Sequence, residues 1–205
     1  RSFDHFCAQF PGLLPDGFED FVPAQQIAAM LALKGTAATA DLSNLQLSDP
    51  LEIDTIQSLA TIAEIQALNG EAGCHRYIIS NCRGAIDIAR VMALLTLLSP
   101  EGATIRTDVV PLFETIDDLA SAGEAMAGLY EYEAYRRHLS SRDNKQTVML
   151  GFSDGTKDGG YLMANWAIFR AKEDLTAASR AKGIEVAFFD GRGGPPARGG
   201  GSTYD

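Results

Sequence analysis

Hydrophobic and polar positions change period along this chain, and the changes mark its elements. Residues 1–50 mix Pro, Gly and short apolar stretches, with one helical pattern over residues 24–33. From residue 49 the pattern sharpens. Asp49 suits an N-cap, Pro50 the first helical position and Glu52 the acidic position three residues after the cap. Leu51, Ile53, Ile56, Leu59, Ile62, Ala63, Ile65 and Leu68 then recur at helical spacing until Gly70 provides a stop. This predicts an amphipathic helix over residues 49–69.

Beyond it, short β-type runs alternate with helical ones. Arg76-Tyr77-Ile78-Ile79-Ser80, Asp108-Val109-Val110-Pro111-Leu112-Phe113, Thr147-Val148-Met149-Leu150-Gly151-Phe152 and Ile184-Glu185-Val186-Ala187-Phe188-Phe189 read as strands. Helices are expected over residues 86–98, over 115–139 with Thr115 and Asp118 as a capping box, and over 160–182 with a stop at Gly183. Four βα-type units of this kind give an α/β protein on parallel strands, either half of a (β/α)8 barrel or a doubly wound sheet. The expected division is a helical segment over residues 1–70 and an α/β portion over residues 71–205.

Charge narrows the partners. Lys and Arg number 17 against 27 Asp and Glu, a formal net charge of -10. Nucleic-acid binding through phosphates needs a basic face, so small-molecule or protein partners are favoured. With 46% hydrophobic and 21% charged residues, the 205-residue chain is one ordinary globular domain or part of a larger one. No apolar run reaches the roughly 18–20 residues that span a bilayer. The N-terminal Arg1-Ser2-Phe3-Asp4-His5-Phe6 lacks a signal-peptide core, so a cytoplasmic protein without membrane contact is expected. Cys7, Cys74 and Cys82 match no C-x-x-C or zinc spacing and read as reduced structural thiols. The start at Arg1 rather than Met, and the stop directly behind a glycine-rich loop, lead to the expectation of an excised piece.

Candidate chemistry falls at the carboxyl ends of the strands. Glu114 follows the second strand, Asp154 the third and Arg192 the fourth, and parallel strands open their carboxyl ends onto one common crevice. Two carboxylates there suit Mg²⁺ or Mn²⁺ with waters completing the shell, or else simply cap the helices that follow. Lys157 lies among glycines ahead of a helix, an arrangement suited to an anion, although the Walker spacing is absent. Arg192 and Arg198 lie in Gly191-Arg192-Gly193-Gly194-Pro195-Pro196-Ala197-Arg198-Gly199-Gly200-Gly201, either an anion-binding loop or a linker with incidental arginines. His5, His75 and His138 follow no metal spacing and read as structural or surface residues, with His138 as a positive charge at a helix C-terminus. Trp166 with Tyr161, Leu162, Ile168 and Phe169 reads as a helix packing on the sheet, and Asp117-Asp118 as a helix first turn.

Several of these stretches together resemble phosphoenolpyruvate carboxylase. They are Val148-Met149-Leu150-Gly151-Phe152-Ser153-Asp154-Gly155-Thr156-Lys157-Asp158-Gly159-Gly160-Tyr161, then Ala164-Asn165-Trp166, then Phe189-Asp190-Gly191-Arg192-Gly193-Gly194 and Arg198-Gly199-Gly200-Gly201. Tyr77-Ile78-Ile79-Ser80 and Pro111-Leu112-Phe113-Glu114-Thr115-Ile116-Asp117-Asp118-Leu119 are similar to that family too, in the same order. The resemblance implies a partial (β/α)8 TIM-type barrel with helix-rich decoration, with residues 71–205 as part of its catalytic portion. It implies a cytoplasmic, allosteric lyase, homotetrameric as the full-length protein. Such an enzyme forms oxaloacetate and phosphate from phosphoenolpyruvate and bicarbonate with Mg²⁺ or Mn²⁺, an anaplerotic carbon fixation that feeds the tricarboxylic acid cycle. By motif, Glu114 and Asp154 match the metal ligands and Lys157 the lysine associated with bicarbonate. Arg192, with Gly193 and Gly194, matches the substrate-binding segment. Arg198 matches the arginine of the mobile glycine loop, which is also tied to feedback inhibition by a dicarboxylic amino acid.

Two departures stand out. Asp190 occupies the place of the family's His, and a carboxylate there repels an anionic substrate unless paired, with Arg192 as a candidate partner. Pro195-Pro196-Ala197 should stiffen the loop, although residues 191–205 are expected to be mobile without substrate. The family's catalytic histidine and other active-site arginines lie outside this sequence, and half a barrel leaves open strand edges. The alternative is therefore a non-catalytic fragment or an anion- or metal-binding module. A different barrel enzyme acting on phosphoenolpyruvate would need a phosphoryl-accepting histidine, which the sequence does not offer.

Overall fold

The computed structural model describes residues 1–191. These form two compact units, one of Arg1–Tyr77 with Ile86–Thr107, the other of Ile78–Ala85 with the described residues from Asp108 onward. The expected mobility of residues 191–205 concerns positions that, after Gly191, lie outside the described residues.

The first unit is helical: α1 (Ser2–Cys7), α2 (Pro23–Leu31), α3 (Ala37–Ala40), α4 (Pro50–Asn69) and all but the first residue of α5 (Ala85–Leu98). Asp49 caps α4 by accepting from the Leu51 N–H at 3.0 Å, and the chain leaves the helix at Gly70 with φ 81°. Glu52 does not close a capping box. It is buried, accepts from His5 Nδ1 at 2.8 Å and lies 3.0 Å from Arg1 Nε, because a buried carboxylate needs cationic or N–H partners and α1 supplies them. The amphipathic stripe is also narrower than its spacing suggests: Ile56, Leu59 and Ile62 are buried, whereas Leu51 and Leu68 are exposed. Cys7 here and Cys82 of the second unit are buried, and none of the three cysteines forms a disulfide. Burial, with help from Asp4, pushes the Cys7 thiol up to about 12, which keeps it protonated.

The second unit holds a parallel sheet. Its strands are β1 (Arg76–Ile79, which begins in the first unit), β2 (Asp108–Phe113), β3 (Lys145–Gly151) and β4 (Glu185–Gly191), in the order β1-β2-β3-β4. β3 pairs with β4 along its whole length, from Lys145 with Glu185 to Gly151 with Gly191. β2 joins β3 in register only at Leu112 with Met149 and Phe113 with Leu150, directly after Pro111, which has no N–H to give to a ladder. The parallel α/β class expected from the sequence is what forms.

Between these strands lie α6 (Ile116–Leu129), α7 (Glu133–Ser140) and α8 (Ser153–Ala181). Thr115 and Asp118 form the expected capping box, but the helix does not continue to residue 139. It ends at Tyr130, and the break places the buried rings of Tyr130 and Tyr135 6.4 Å apart in a stacked pair. Five residues apart on one continuous helix, they would point some 140° away from each other. α6 and α8 run parallel in close contact: a Cβ on Gly123 would meet Asp174 Cβ at 2.8 Å, Tyr130 Oη lies 3.2 Å from Ser179 Oγ, and Lys182 pairs with Glu131 at 2.7 Å.

The face of α8 that packs is not the aromatic one. Ala164, Ile168, Ala171, Leu175 and Ser179 are buried at i, i+4, i+7, i+11 and i+15, while Tyr161, Leu162, Trp166 and Phe169 are exposed and Trp166 stacks on Phe169 at 5.7 Å. Gly123 on α6 allows the close approach of Asp174, and the aromatic side chains of α8 are left outside. Of the aromatic group expected to pack on the sheet, only Ile168 is buried.

Candidate active site

The carboxyl ends of β2 and β3 meet side by side. Glu114 is the first residue after β2, and a Cβ on Gly151, the last of β3, would lie 3.0 Å from Glu114 Cα and 3.2 Å from its Cγ. Glycine at 151 is thus what lets the carboxylate-bearing residue sit against the neighbouring strand. Glu114 Oε2 accepts from the Asn81 backbone N–H at 3.1 Å, and Asn81, two residues past β1, holds φ 53°. Asn tolerates this left-handed conformation better than most residues. The Asn81 contribution was missed in the sequence, where an asparagine behind a short strand is the only sign.

The segment after β3 folds differently from the expected loop. Helical structure starts at Ser153, with Thr156 N–H and Oγ1 both donating to the Phe152 carbonyl, and is interrupted at Gly160, whose φ of 78° and ψ of 170° are not helical. A Cβ on Gly159 would collide with Ile116 Cδ1, so this first turn lies against the start of α6. Asp154 and Lys157 occupy successive positions of the turn's outer side and pair at 2.7 Å, with side chains 47% and 71% exposed. The pair is open to water and weakly held.

At the end of β4, Asp190 is paired with Lys172 of α8, while Arg192, the partner considered from sequence, lies outside the described residues. Lys172 Nζ lies 2.7 Å from Oδ1 and 3.0 Å from Oδ2. Arg192, Gly193, Gly194 and Arg198 lie outside the described residues. His138 does not serve as a helix-end cation: burial pushes its pKa down to about 4, with Arg142 adding to the effect and Asp108 opposing it, so the ring is neutral at pH 7.

The candidate donors after β2 and β3, Glu114 and Asp154, are both carboxylates. Such a set fits a hard, oxygen-seeking cation that keeps most of its waters. Among the described residues no cluster of three or more His, Cys, Asp or Glu is gathered for a metal, so a cation here would depend on solvent or substrate oxygens as well. A cavity of about 710 Å³ lies in the first unit, lined by Asp4, Asp16, Glu19, Asp20 and Arg90 among others; its acidic rim is the wrong sign for an anionic substrate. Among the described residues no helix is long and apolar enough to cross a membrane.

A parallel four-stranded sheet with helices between its strands defines an α/β protein, with acidic and basic groups at the carboxyl ends of its strands. Comparison with known proteins identifies which one. The family model described as phosphoenolpyruvate carboxylase matches residues 18–205. The chain is 40% identical over 185 residues to a phosphoenolpyruvate carboxylase of Mycobacterium leprae, covering 88% of this chain and 20% of the relative. It is 40% identical over 154 residues to one of Gloeobacter violaceus (74% and 16%), and 44% identical over 143 residues to one of Nocardia farcinica (66% and 16%). The chain belongs to the phosphoenolpyruvate carboxylase family. It spans a fifth or less of the length of these relatives.

Proposed function

We propose that the strand-end site is the metal- and anion-holding part of a phosphoenolpyruvate carboxylase, and that the complete protein forms oxaloacetate and phosphate from phosphoenolpyruvate and bicarbonate. One observation carries this reading in a chain of that family: Glu114 lies against Gly151 at neighbouring strand ends, with Asp154 and Lys157 in the turn that follows. Glu114 and Asp154 are the residues that would hold Mg²⁺ or Mn²⁺. When bound, the cation supplies positive charge for the oxygen of a developing enolate.

The chain's own groups do the rest. The Asn81 N–H fixes one Glu114 oxygen and thereby the orientation of the carboxylate. Lys157, released from its exposed pair with Asp154, offers an ammonium to bicarbonate. The proposal assigns Arg192, with the close backbone approach that Gly193 and Gly194 permit, to phosphoryl and carboxylate oxygens. Bicarbonate oxygen attacks phosphorus and the enolate leaves; the resulting carboxyphosphate splits into phosphate and CO₂, and Arg198 with the surrounding glycines would cover the site so that the enolate carbon meets that CO₂ and not a proton.

The same reading makes the sheet part of a (β/α)8 barrel. Val148, Leu150 and Phe113 are buried on one side, but on the other Thr147 and Met149 are half-buried and Ala187 and Phe189 exposed. Parallel sheets are normally covered on both faces, so this half-open side and the β4 edge call for further chain. A cytoplasmic homotetramer under feedback control of a pathway feeding the tricarboxylic acid cycle is supported by family membership alone. The test is Mg²⁺- and bicarbonate-dependent phosphate release from phosphoenolpyruvate by the full-length protein beside its Asp154→Asn variant. Release lost in the variant is expected; release equal in both would remove Asp154 from the site, and none in either would leave a binding module.

A further inference from the structure

The turn that carries Asp154 and Lys157 begins behind Phe152 and ends at Gly160, whose φ of 78° and ψ of 170° separate it from the rest of α8. A glycine in that conformation is a natural pivot, so the helical bonds of α8 alone do not fix where the turn sits. Phe152 is buried and holds the turn in two ways. Its carbonyl accepts from the Thr156 N–H at 3.0 Å and from Thr156 Oγ1 at 2.7 Å. Its ring meets the ring of Tyr161, the first residue beyond the break, edge to face, with centroids 5.7 Å apart and planes at 80°. This is a favoured geometry for an aromatic pair. Tyr161 is in turn fixed to the body of α8, because its carbonyl accepts from Asn165 Nδ2 at 2.8 Å. By contrast, the stack of Trp166 on Phe169 stays within the helix and spans no break.

We propose that Tyr161 is a positioning residue for the turn that bears Asp154 and Lys157. Its ring clasps Phe152 across the two ends of residues 153–160 and fixes the angle between the end of β3 and the continuing helix. That angle sets where the Asp154 carboxylate and the Lys157 ammonium stand relative to Glu114. Thr156 on Phe152 and Gly159 against Ile116 hold the turn itself, and the ring pair joins its ends. The inference rests on the reading of Asp154 and Lys157 as metal- and bicarbonate-binding groups. Tyr161 is 67% exposed, so removing its ring uncovers little of the core and registers in ligand binding more than in stability.

Mn²⁺ affinity of the full-length protein, read without turnover from the electron paramagnetic resonance of the free ion, tests this, with KM for bicarbonate as a second readout. Tyr161→Ala is expected to weaken Mn²⁺ binding and raise KM for bicarbonate together, each on the order of fivefold, the scale of one lost aromatic pair. The thermal midpoint should barely move. Tyr161→Phe, which keeps the ring edge, should retain both values, as should Leu162→Ala at the exposed neighbour. In a Phe152→Leu background Tyr161→Ala should add less than about twofold, because the partner ring is already gone. Unchanged Mn²⁺ affinity in Tyr161→Ala overturns the proposal. So does a full additional effect in the Phe152→Leu background, or an equal loss in Tyr161→Phe or Leu162→Ala. Asp154→Asn separates the two readings. If wild type binds no Mn²⁺, or Asp154→Asn binds it as wild type does, the strand-end reading fails and this inference with it; if Asp154→Asn loses Mn²⁺ while Tyr161→Ala keeps it, the inference alone fails.

Discussion

The two ends of β2 and β3 treat polar groups in opposite ways. At the amino ends they are buried or half-buried and matched to one another: Arg142 Nε meets Asp108 Oδ1 at 2.6 Å, the Tyr135 hydroxyl donates to Gln146 Oε1 at 2.6 Å, and Gln146 Nε2 donates to the carbonyls of Val109 and Thr147 at 3.1 and 2.8 Å. Gln146 thereby ties β2 to β3 over the stretch before Pro111, where the register pairing between them has not yet begun. At the carboxyl ends the charges are loosely paired, Asp154 with Lys157 in an exposed pair, while Glu114 is held through the Asn81 backbone N–H. Buried, satisfied networks rigidify a sheet; solvated ion pairs leave groups free to exchange partners for a ligand. One end holds the fold and the other is left available.

Breaking the amino end should cost stability. Tyr135→Ala removes a buried ring and leaves Gln146 Oε1 without its donor, and a loss of about 4 kcal/mol in urea denaturation is expected. A loss under about 1 kcal/mol would mean that Gln146 finds another partner, and the contrast between the ends would fade.

His138 adds a pH dependence of known sign. Its folded pKa of about 4 lies below the ordinary 6.5, so as pH falls the unfolded chain takes up the proton first. Its contribution is intact above about pH 6.5 and is lost as pH falls toward 4, by about 3 kcal/mol in total. His138→Gln should flatten that part of a stability-against-pH curve, and an unchanged slope would assign the acid sensitivity elsewhere.

At the carboxyl end the balance tips toward function. Gly151→Ala forces its new methyl against Glu114 Cα, with an expected stability cost of about 1–2 kcal/mol and a much larger proportional fall in phosphate release. Lys157→Ala removes only an exposed pair, so a stability change below about 0.5 kcal/mol is expected, beside a clear loss of carboxylation. Stability falling as far as in Tyr135→Ala would show that Lys157 is structural and erase the distinction.

Much of the fold was legible because its signals are local. Asp49-Pro50 and Gly70 bracket one helix, Thr115 and Asp118 open another, and four β-branched or aromatic runs mark the strands. What escaped depends on partners distant in sequence. The break between Tyr130 and Glu133 follows from the tyrosine stack, the role of Glu52 from α1, and the packed face of α8 from the close contact at Gly123. The strand-end positions of Glu114 and Asp154 were readable from the alternation of elements. Asn81 and Lys172 were not, since one acts through its backbone and the other reaches across to a strand that forms 18 residues later.

The parallel register also sets the order of events in time. Leu112 meets Met149, and Lys145 meets Glu185, so each pairing joins positions roughly forty residues apart and must wait for an intervening helix to bring them together. α6 and α8, built on short-range bonds, can form within microseconds, whereas the strands zip only after those crossovers close. A solvent-facing Ala→Gly change in α6, such as Ala120→Gly, is therefore expected to slow sheet assembly in stopped-flow refolding although it touches no strand. The rate at which this sheet appears is governed by its helices.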